Sequence, residues 1–211
     1  MTYTLYYAPG AASMAVHWAL IEMGVRFEAV SLDFDAGDQK AAAYRRLNPA
    51  GRVPTLVVDG QPCSESAALL MLLAERHPGA QLAPPPGDPR RAKWLETMVF
   101  LANTVLPAMR DWFYADKDGD PAGAGAVRDL ARRRIEAAWA RLDFDLADGR
   151  RYLMGDEPGC VDFLAAMLMR WSRNMVRPAS DWHALRPYVT RMAALPSYAE
   201  LCRREDLTPW P

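Results

Sequence analysis

The sequence predicts two domains of different class: an α/β domain over residues 1–79 and an all-helical domain over residues 90–211, joined by a linker at 80–89. Three observations carry this. Before the linker, short strand-like runs alternate with runs of helical apolar period. The stretch Pro84-Pro85-Pro86-Gly87-Asp88-Pro89 can hold neither a helix nor a central strand. Beyond it, almost every segment repeats its apolar residues at helical spacing.

Thr2 to Tyr7 is a short strand that ends at Pro9-Gly10. Ser13 then precedes a run with Val16, Leu20 and Met23 on one face, closed by Gly24, which predicts a helix capped by Ser13 and Gly24. Phe27 to Leu32 is a second strand and Asp38 to Leu47 a short helix. Thr55 to Val58 is a third strand, Asp59-Gly60 a tight turn and Gln61 to Cys63 its hairpin partner. Ser64 to His77 is a helix with Leu69, Leu70, Leu72 and Leu73 toward the core. The order βαβαββα suggests one parallel pair with an antiparallel edge. In the second domain Trp94, Met98, Leu101 and Val105 form one helical stripe, and Pro107 is expected to kink or end that helix. A loop over 116–125 leads to a long basic helix from Val127 to about Ala147. Helices are also expected from Cys160 to about Met175, from Trp182 to Leu195 and from Pro196 to Arg204.

The 211 residues suffice for two small domains with real cores. A net charge of -1 gives no electrostatic case for nucleic acid or an anionic membrane. No apolar run approaches the roughly 20 residues that span a bilayer, and no signal peptide is expected at Met1 to Gly10. Cys63, Cys160 and Cys202 are odd in number and far apart, and His17, His77 and His183 lie on separate segments. Neither a disulfide framework nor a metal site is expected, and reduced thiols fit a cytoplasmic protein.

The most informative stretch is Asn48-Pro49-Ala50-Gly51-Arg52-Val53-Pro54-Thr55-Leu56. Gly51 can take a positive φ in a turn. A cis proline at Val53-Pro54, just before a strand, would turn the Val53 backbone outward and leave its N–H and C=O to pair with an extended peptide. Ser64-Glu65-Ser66 then opens a helix, where unsatisfied N–H groups and the Ser66 hydroxyl make an anion site. A peptide held at Val53 could set a carboxylate there. Each piece alone has a plain structural reading; their order and spacing matter.

Residues 6–78 resemble the N-terminal domain of the glutathione transferase superfamily, through Tyr-x-Pro-Gly-x-x-Ser, Asn-Pro-x-Gly-x-Val-Pro, and Glu-Ser before a helix ending in Arg-His-Pro. The C-terminal half resembles it through its helical pattern and Gly155-Asp156 leading to Val161-Asp162. The resemblance implies a thioredoxin-like fold, glutathione as co-substrate and a homodimer. It implies that Val53 pairs with the cysteinyl backbone, with Arg52 and Pro54 beside it, and that Glu65 and Ser66 hold the γ-glutamyl end. Tyr6 to Ser13 is most similar to the bacterial beta class, which usually carries a cysteine where this chain has Ala12. Without that cysteine, a mixed disulfide with glutathione is not expected.

Ser13 is then the first candidate for the catalytic hydroxyl, at a helix start where the dipole and an O–H donor would both stabilise the glutathione thiolate. A free thiol has a pKa near ~8.5, so lowering it by about two units, worth roughly 2.7 kcal/mol, makes the thiolate dominant at neutral pH. Tyr7 is the rival donor. The beta class usually places a His-Lys pair in the first helix of the second domain; the matching positions are Leu106 and Pro107, which makes the site more apolar. The second-domain capping box reads Gly159-Cys160-Val161-Asp162, with Asp162 able to bond back to the cap amide. By the same resemblance Leu106, Met109, Arg110, Phe113 and Trp171 belong to the pocket for a hydrophobic electrophile. The expected chemistry is attack of the thiolate on that electrophile. A glutathione-dependent isomerase, dehalogenase or ether-cleaving enzyme, or a non-catalytic transferase-like binding protein, are the alternatives on this scaffold.

Overall fold

The computed structural model describes residues 1–208 and Trp210. In chain order it contains β1 (Tyr3–Tyr7), α1 (Met14–Glu22), β2 (Glu28–Ser31), α2 (Ala42–Arg45), β3 (Thr55–Val58), β4 (Gln61–Ser64) and α3 (Ser66–Arg76). There follow α4 (Arg91–Phe100), a π-helical turn (Leu101–Val105), α5 (Leu106–Tyr114), α6 (Ala124–Asp145), α7 (Cys160–Trp171), α8 (Leu185–Ala193) and α9 (Pro196–Glu205). Two compact units result, Met1–Ala83 with Ala193–Trp210, and Pro84–Met192. The expectation gave everything after residue 90 to the helical domain. In the structure α9 packs on α1, so the C-terminal segment groups with the α/β unit.

The first unit is thioredoxin-like, with a four-stranded sheet of order β2-β1-β3-β4. β1 and β2 are parallel, as a crossover helix between them requires, and β3 runs antiparallel to both β1 and β4. Leu5 of β1 pairs with Leu56 of β3 and both are fully buried, which places the core under the sheet centre. Asp59 and Gly60 both take positive φ (49° and 85°), the backbone of a two-residue hairpin turn. The spacing predicts one apolar face for α1; the helix is buried on all sides from Met14 to Leu20, since β1, α3 and α9 all pack on it. α3 turns Leu69, Leu70 and Leu73 inward, whereas Leu72 is only partly buried. The helix expected over 38–47 is a 3-10 turn (Asp38–Lys40) and the one-turn α2.

In the helical unit Trp94, Met98, Leu101 and Val105 are all buried as one stripe. Pro107 neither ends nor breaks the helix. The π-helical turn shifts the register just before it, and Pro107 falls in the first turn of α5, where its missing N–H is not needed. α7 is the core helix, buried from Cys160 to Arg170. Its start is held as expected: the Gly159 N–H donates to Asp162 Oδ2 at 2.9 Å. The other oxygen of Asp162 accepts the Leu153 N–H and the Tyr188 hydroxyl, each at 2.9 Å. Burial outweighs these bonds and raises the Asp162 carboxyl to about 6. Burial, then the charge of Asp162, pushes the Cys160 thiol up to about 12, which leaves it unreactive.

Candidate functional site

Strand register brings three separate sequence segments to one end of the sheet. Tyr6 pairs with Thr55, and Thr55 with Ser64. One step further along each strand stand Tyr7 with the loop after it, Pro54, and Glu65. The β1–α1 loop, Val53-Pro54 and the start of α3 therefore meet although dozens of residues separate them in the chain.

The loop from Ala8 to Ser13 begins with a turn in which the Ala11 N–H donates to the Ala8 C=O at 3.1 Å. Pro9 and Gly10 are its central residues, and Gly10 takes φ 66°, the combination a type II turn demands. Ser13 does not cap α1 as the sequence suggested. Its backbone is already helical and its side chain makes no cap bond. The fully buried hydroxyl instead accepts the Ala8 N–H at 3.2 Å and donates to the Ala8 C=O at 3.3 Å. Tyr7 is half-buried, with its ring 4.9 Å from that of His17, and its hydroxyl has no hydrogen-bond partner among the described residues.

The Val53–Pro54 peptide bond is cis, as expected. Neither the N–H nor the C=O of Val53 has a hydrogen-bond partner among the described residues. The preceding turn is clamped from beneath. The Tyr44 hydroxyl and the Asn48 side-chain amide both donate to the Arg52 C=O, at 2.6 and 2.8 Å. The Thr55 hydroxyl lies 2.8 Å from the Tyr44 oxygen and accepts from Asn48 at 3.1 Å. Burial raises the Tyr44 phenol above its usual range, so it stays a donor. Gly51 holds φ 59°, and a Cβ there would meet the Gln39 C=O at 2.8 Å. Arg52 itself is exposed. Sequence reasoning missed Tyr44, the residue that aims this turn; its aromatic neighbourhood on a short helix gave no local signal.

At the start of α3, Glu65 is exposed and holds φ 73°, ψ 107°, a conformation that side chains rarely adopt. The Ser66 hydroxyl donates to the Ala12 C=O at 2.8 Å and ties the start of α3 to the β1–α1 loop. The first turn of an α-helix leaves backbone N–H groups without partners inside the helix, and here they open at the sheet end just described.

In the helical unit, Phe113 and Trp171 are brought together, their rings edge-on with centroids 6.3 Å apart. Leu106 is half-buried. Met109 is fully buried and serves the core, so it presents no surface to a ligand. Arg110 pairs with Asp118 at 2.5 Å and lies over the Tyr114 ring at 4.6 Å. No group of acidic, histidine or cysteine side chains among the described residues is arranged to hold a metal ion.

The thioredoxin-like sheet, with a cis peptide bond before Pro54 and a helix start beside it, defines the class of the α/β unit by its fold. Comparison with known proteins narrows the class. Residues 1–75 match the family described as "Glutathione S-transferase, N-terminal domain". The chain is 31% identical over 194 residues to glutathione S-transferase GST-4.5 of Xanthomonas campestris, covering 90% of this chain and 92% of that one. A sphingomonad glutathione S-transferase solved in complex with glutathione superposes with a TM-score of 0.83 at 29% identity, over 97% of this chain and 100% of the other. The bacterial beta class enzyme of Sphingomonas chungbukensis gives 0.84 at 28% identity, over 97% and 100%. The chain belongs to the glutathione S-transferase family, close to its bacterial beta class.

Proposed function

We propose that this chain conjugates the thiolate of glutathione to small hydrophobic electrophiles, and that the tripeptide lies extended across the sheet end. The observation that carries this is the unpaired Val53 backbone beside the α3 start, two binding features joined by strand register. In this reading the Val53 N–H and C=O pair with the cysteinyl residue, flanked by Arg52 and Pro54. Glu65 receives the γ-glutamyl ammonium, and the α3 N–H groups receive its carboxylate together with the Ser66 hydroxyl, whose O–H must leave the Ala12 C=O to do so.

The thiol then falls at the β1–α1 loop, near the start of α1. Ser13 is its donor, and the geometry states what that requires. Its O–H must leave the Ala8 C=O, a contact of 3.3 Å that is long for a hydroxyl bond and cheap to give up. The hydroxyl keeps the Ala8 N–H as its own donor, which favours its proton pointing elsewhere. Tyr7, whose hydroxyl has no hydrogen-bond partner among the described residues, is the second donor. Once ionised, sulfur attacks the electrophile, forming a C–S bond as the leaving group departs or as an activated double bond takes the electron pair. Positioning and thiolate stabilisation carry the rate. Within the helical unit, the edge-on rings of Phe113 and Trp171 are the apolar residues proposed for the electrophile, together with Leu106 and Arg110.

The test is conjugation of chloro-dinitrobenzene by the wild type, Ser13→Ala and Tyr7→Phe. A glutathione-dependent rate that falls about tenfold or more in Ser13→Ala supports the assignment, since a lost donor to an anion is worth over 1 kcal/mol. A loss confined to Tyr7→Phe moves the role to Tyr7. Wild-type turnover of double-bond isomers or haloalkanes, with no conjugation, would replace transfer by isomerisation or dehalogenation. The chain is further proposed to act as a cytoplasmic homodimer.

A further inference from the structure

Within the α/β unit, a cavity of about 240 Å³ opens between β1, the end of β2 and α2. Tyr6, Leu32, Asp38, Tyr44 and Leu47 line it, together with the exposed Ala41 and Ala43. The two tyrosine rings form tilted walls, with centroids 5.5 Å apart and planes at 48°. The one charged group among the described lining residues is the Asp38 carboxylate. Its Oδ2 accepts the Asp33 N–H at 2.9 Å. Its Oδ1 has no hydrogen-bond partner and the carboxylate no ion pair among the described residues.

An idle gap in packing is lined by carbon. A carboxylate beside two aromatic rings is instead the set that holds a cation, because the ring faces are negative and the carboxylate is charged. A cation is attracted within about 6 Å of a ring centroid, and these two centroids are close enough for one cation to reach both. The chain does not supply that cation. Arg110, Arg141 and Arg177 lie over Tyr114, Phe100 and Trp182, but among the described residues no Lys or Arg lies over Tyr6 or Tyr44. Lys40 and Arg45, on the adjoining turn and helix, are exposed and do not line the cavity.

Size and lining select the kind of cation. Pockets for drug-sized ligands run to roughly 300–1,000 Å³, so the occupant here is smaller. A primary ammonium or a metal ion is strongly hydrated and would lose its water against Leu32 and Leu47. A methylated ammonium spreads its charge over methyl groups, which suit both the aliphatic side chains and the ring faces.

We propose that this cavity binds a small organic cation with a methylated ammonium head, held by the faces of Tyr6 and Tyr44 and by the Asp38 carboxylate. Such a site would exist whether or not the chain transfers glutathione.

The test is NMR titration of the full chain with choline and with its neutral isostere, which has carbon in place of the ammonium nitrogen, at constant ionic strength. Choline should saturate the Tyr6 and Tyr44 ring signals with a dissociation constant on the order of 1 mM, and the isostere should bind about tenfold more weakly. Three variants then assign the contacts. Asp38→Asn keeps an acceptor for the Asp33 N–H and removes the charge. Tyr6→Leu removes one ring face, and Tyr6→Phe keeps it. Tyr44 is left intact, since its hydroxyl also supports the Arg52 turn. Asp38→Asn and Tyr6→Leu should each weaken choline about fivefold or more, while Tyr6→Phe binds like the wild type.

Equal binding of choline and the isostere overturns the proposal, since the cavity would then be an apolar pocket with no preference for charge. So does the absence of saturable shifts with choline. Choline affinity unchanged in Asp38→Asn and in Tyr6→Leu overturns it too, by placing the cation elsewhere. If Tyr6→Leu does not fold, Asp38→Asn and the isostere comparison still decide.

Discussion

Ser13 has an observed task and a proposed one. Its hydroxyl ties Ala8 to the start of α1, and the role proposed for it toward sulfur requires only that the weaker of two contacts be exchanged. The residue type and its place after Pro9-Gly10 were legible in the sequence; its burial and its actual partner were not, because both depend on how the loop folds back on Ala8. Asp162 is the converse case. Its bond to the Gly159 amide follows from a spacing of three residues, but the Tyr188 hydroxyl comes from a distant helix and had no sequence signal. The Asp162 carboxyl rises from its ordinary 3.8 to about 6 because it is buried. The native state thus keeps a proton that the unfolded chain releases above 3.8. The stability this group confers is complete below that value and is lost as pH rises through about 6. In Asp162→Asn, Tm should be lower overall and should lose this decline between pH 4 and 6, measured by thermal unfolding across that range. A decline as steep as in the wild type would contradict the assignment.

Among the elements, the turn before β3 and the start of α3 shape the site. Gly51 is required twice, by its positive φ and by the Gln39 carbonyl that a Cβ would strike. Gly51→Ala should displace Val53, raise the KM for glutathione several-fold and lower Tm by several degrees, read by steady-state kinetics and a thermal scan. The glycine and the cis proline were legible because few residue types tolerate those conformations; Tyr44 and Asn48, which clamp Arg52 from below, act through side-chain contacts that no spacing rule encodes. Glu65 holds a backbone that favours glycine, at a position that contributes little to the core. Glu65→Gly should therefore keep or raise Tm, by relief of about 1 kcal/mol of strain, while glutathione affinity falls. A loss of Tm without loss of affinity would assign Glu65 to the fold instead. The same logic explains α4 and α5, where Pro107 read as a break and the π-helical turn absorbed it.

For the whole molecule, fold class was set by periodicity: strands alternating with helices early in the chain, helices after them. The exception is α9. Its apolar spacing matched a helix of the second domain equally well, and only tertiary packing assigned it to α1. Leu95 and Val99 stand exposed four residues apart on α4, at 40% and 49% of their full surface. A homodimer offers a reason for such a pair. Leu95→Glu with Val99→Glu should halve the mass seen by light scattering if this face joins two copies, and an unchanged mass would exclude it.

The central claim is that the sheet end grips a γ-linked tripeptide by backbone at Val53 and by the acid and hydroxyl at Glu65 and Ser66. Calorimetric titration with glutathione and with its isomer linked through the α-carboxyl tests it most directly. Glutathione should bind at least about tenfold more tightly, a difference near 1.4 kcal/mol, and Ser66→Ala should erase most of that preference. Equal binding of the two isomers, or no heat with either, would contradict it.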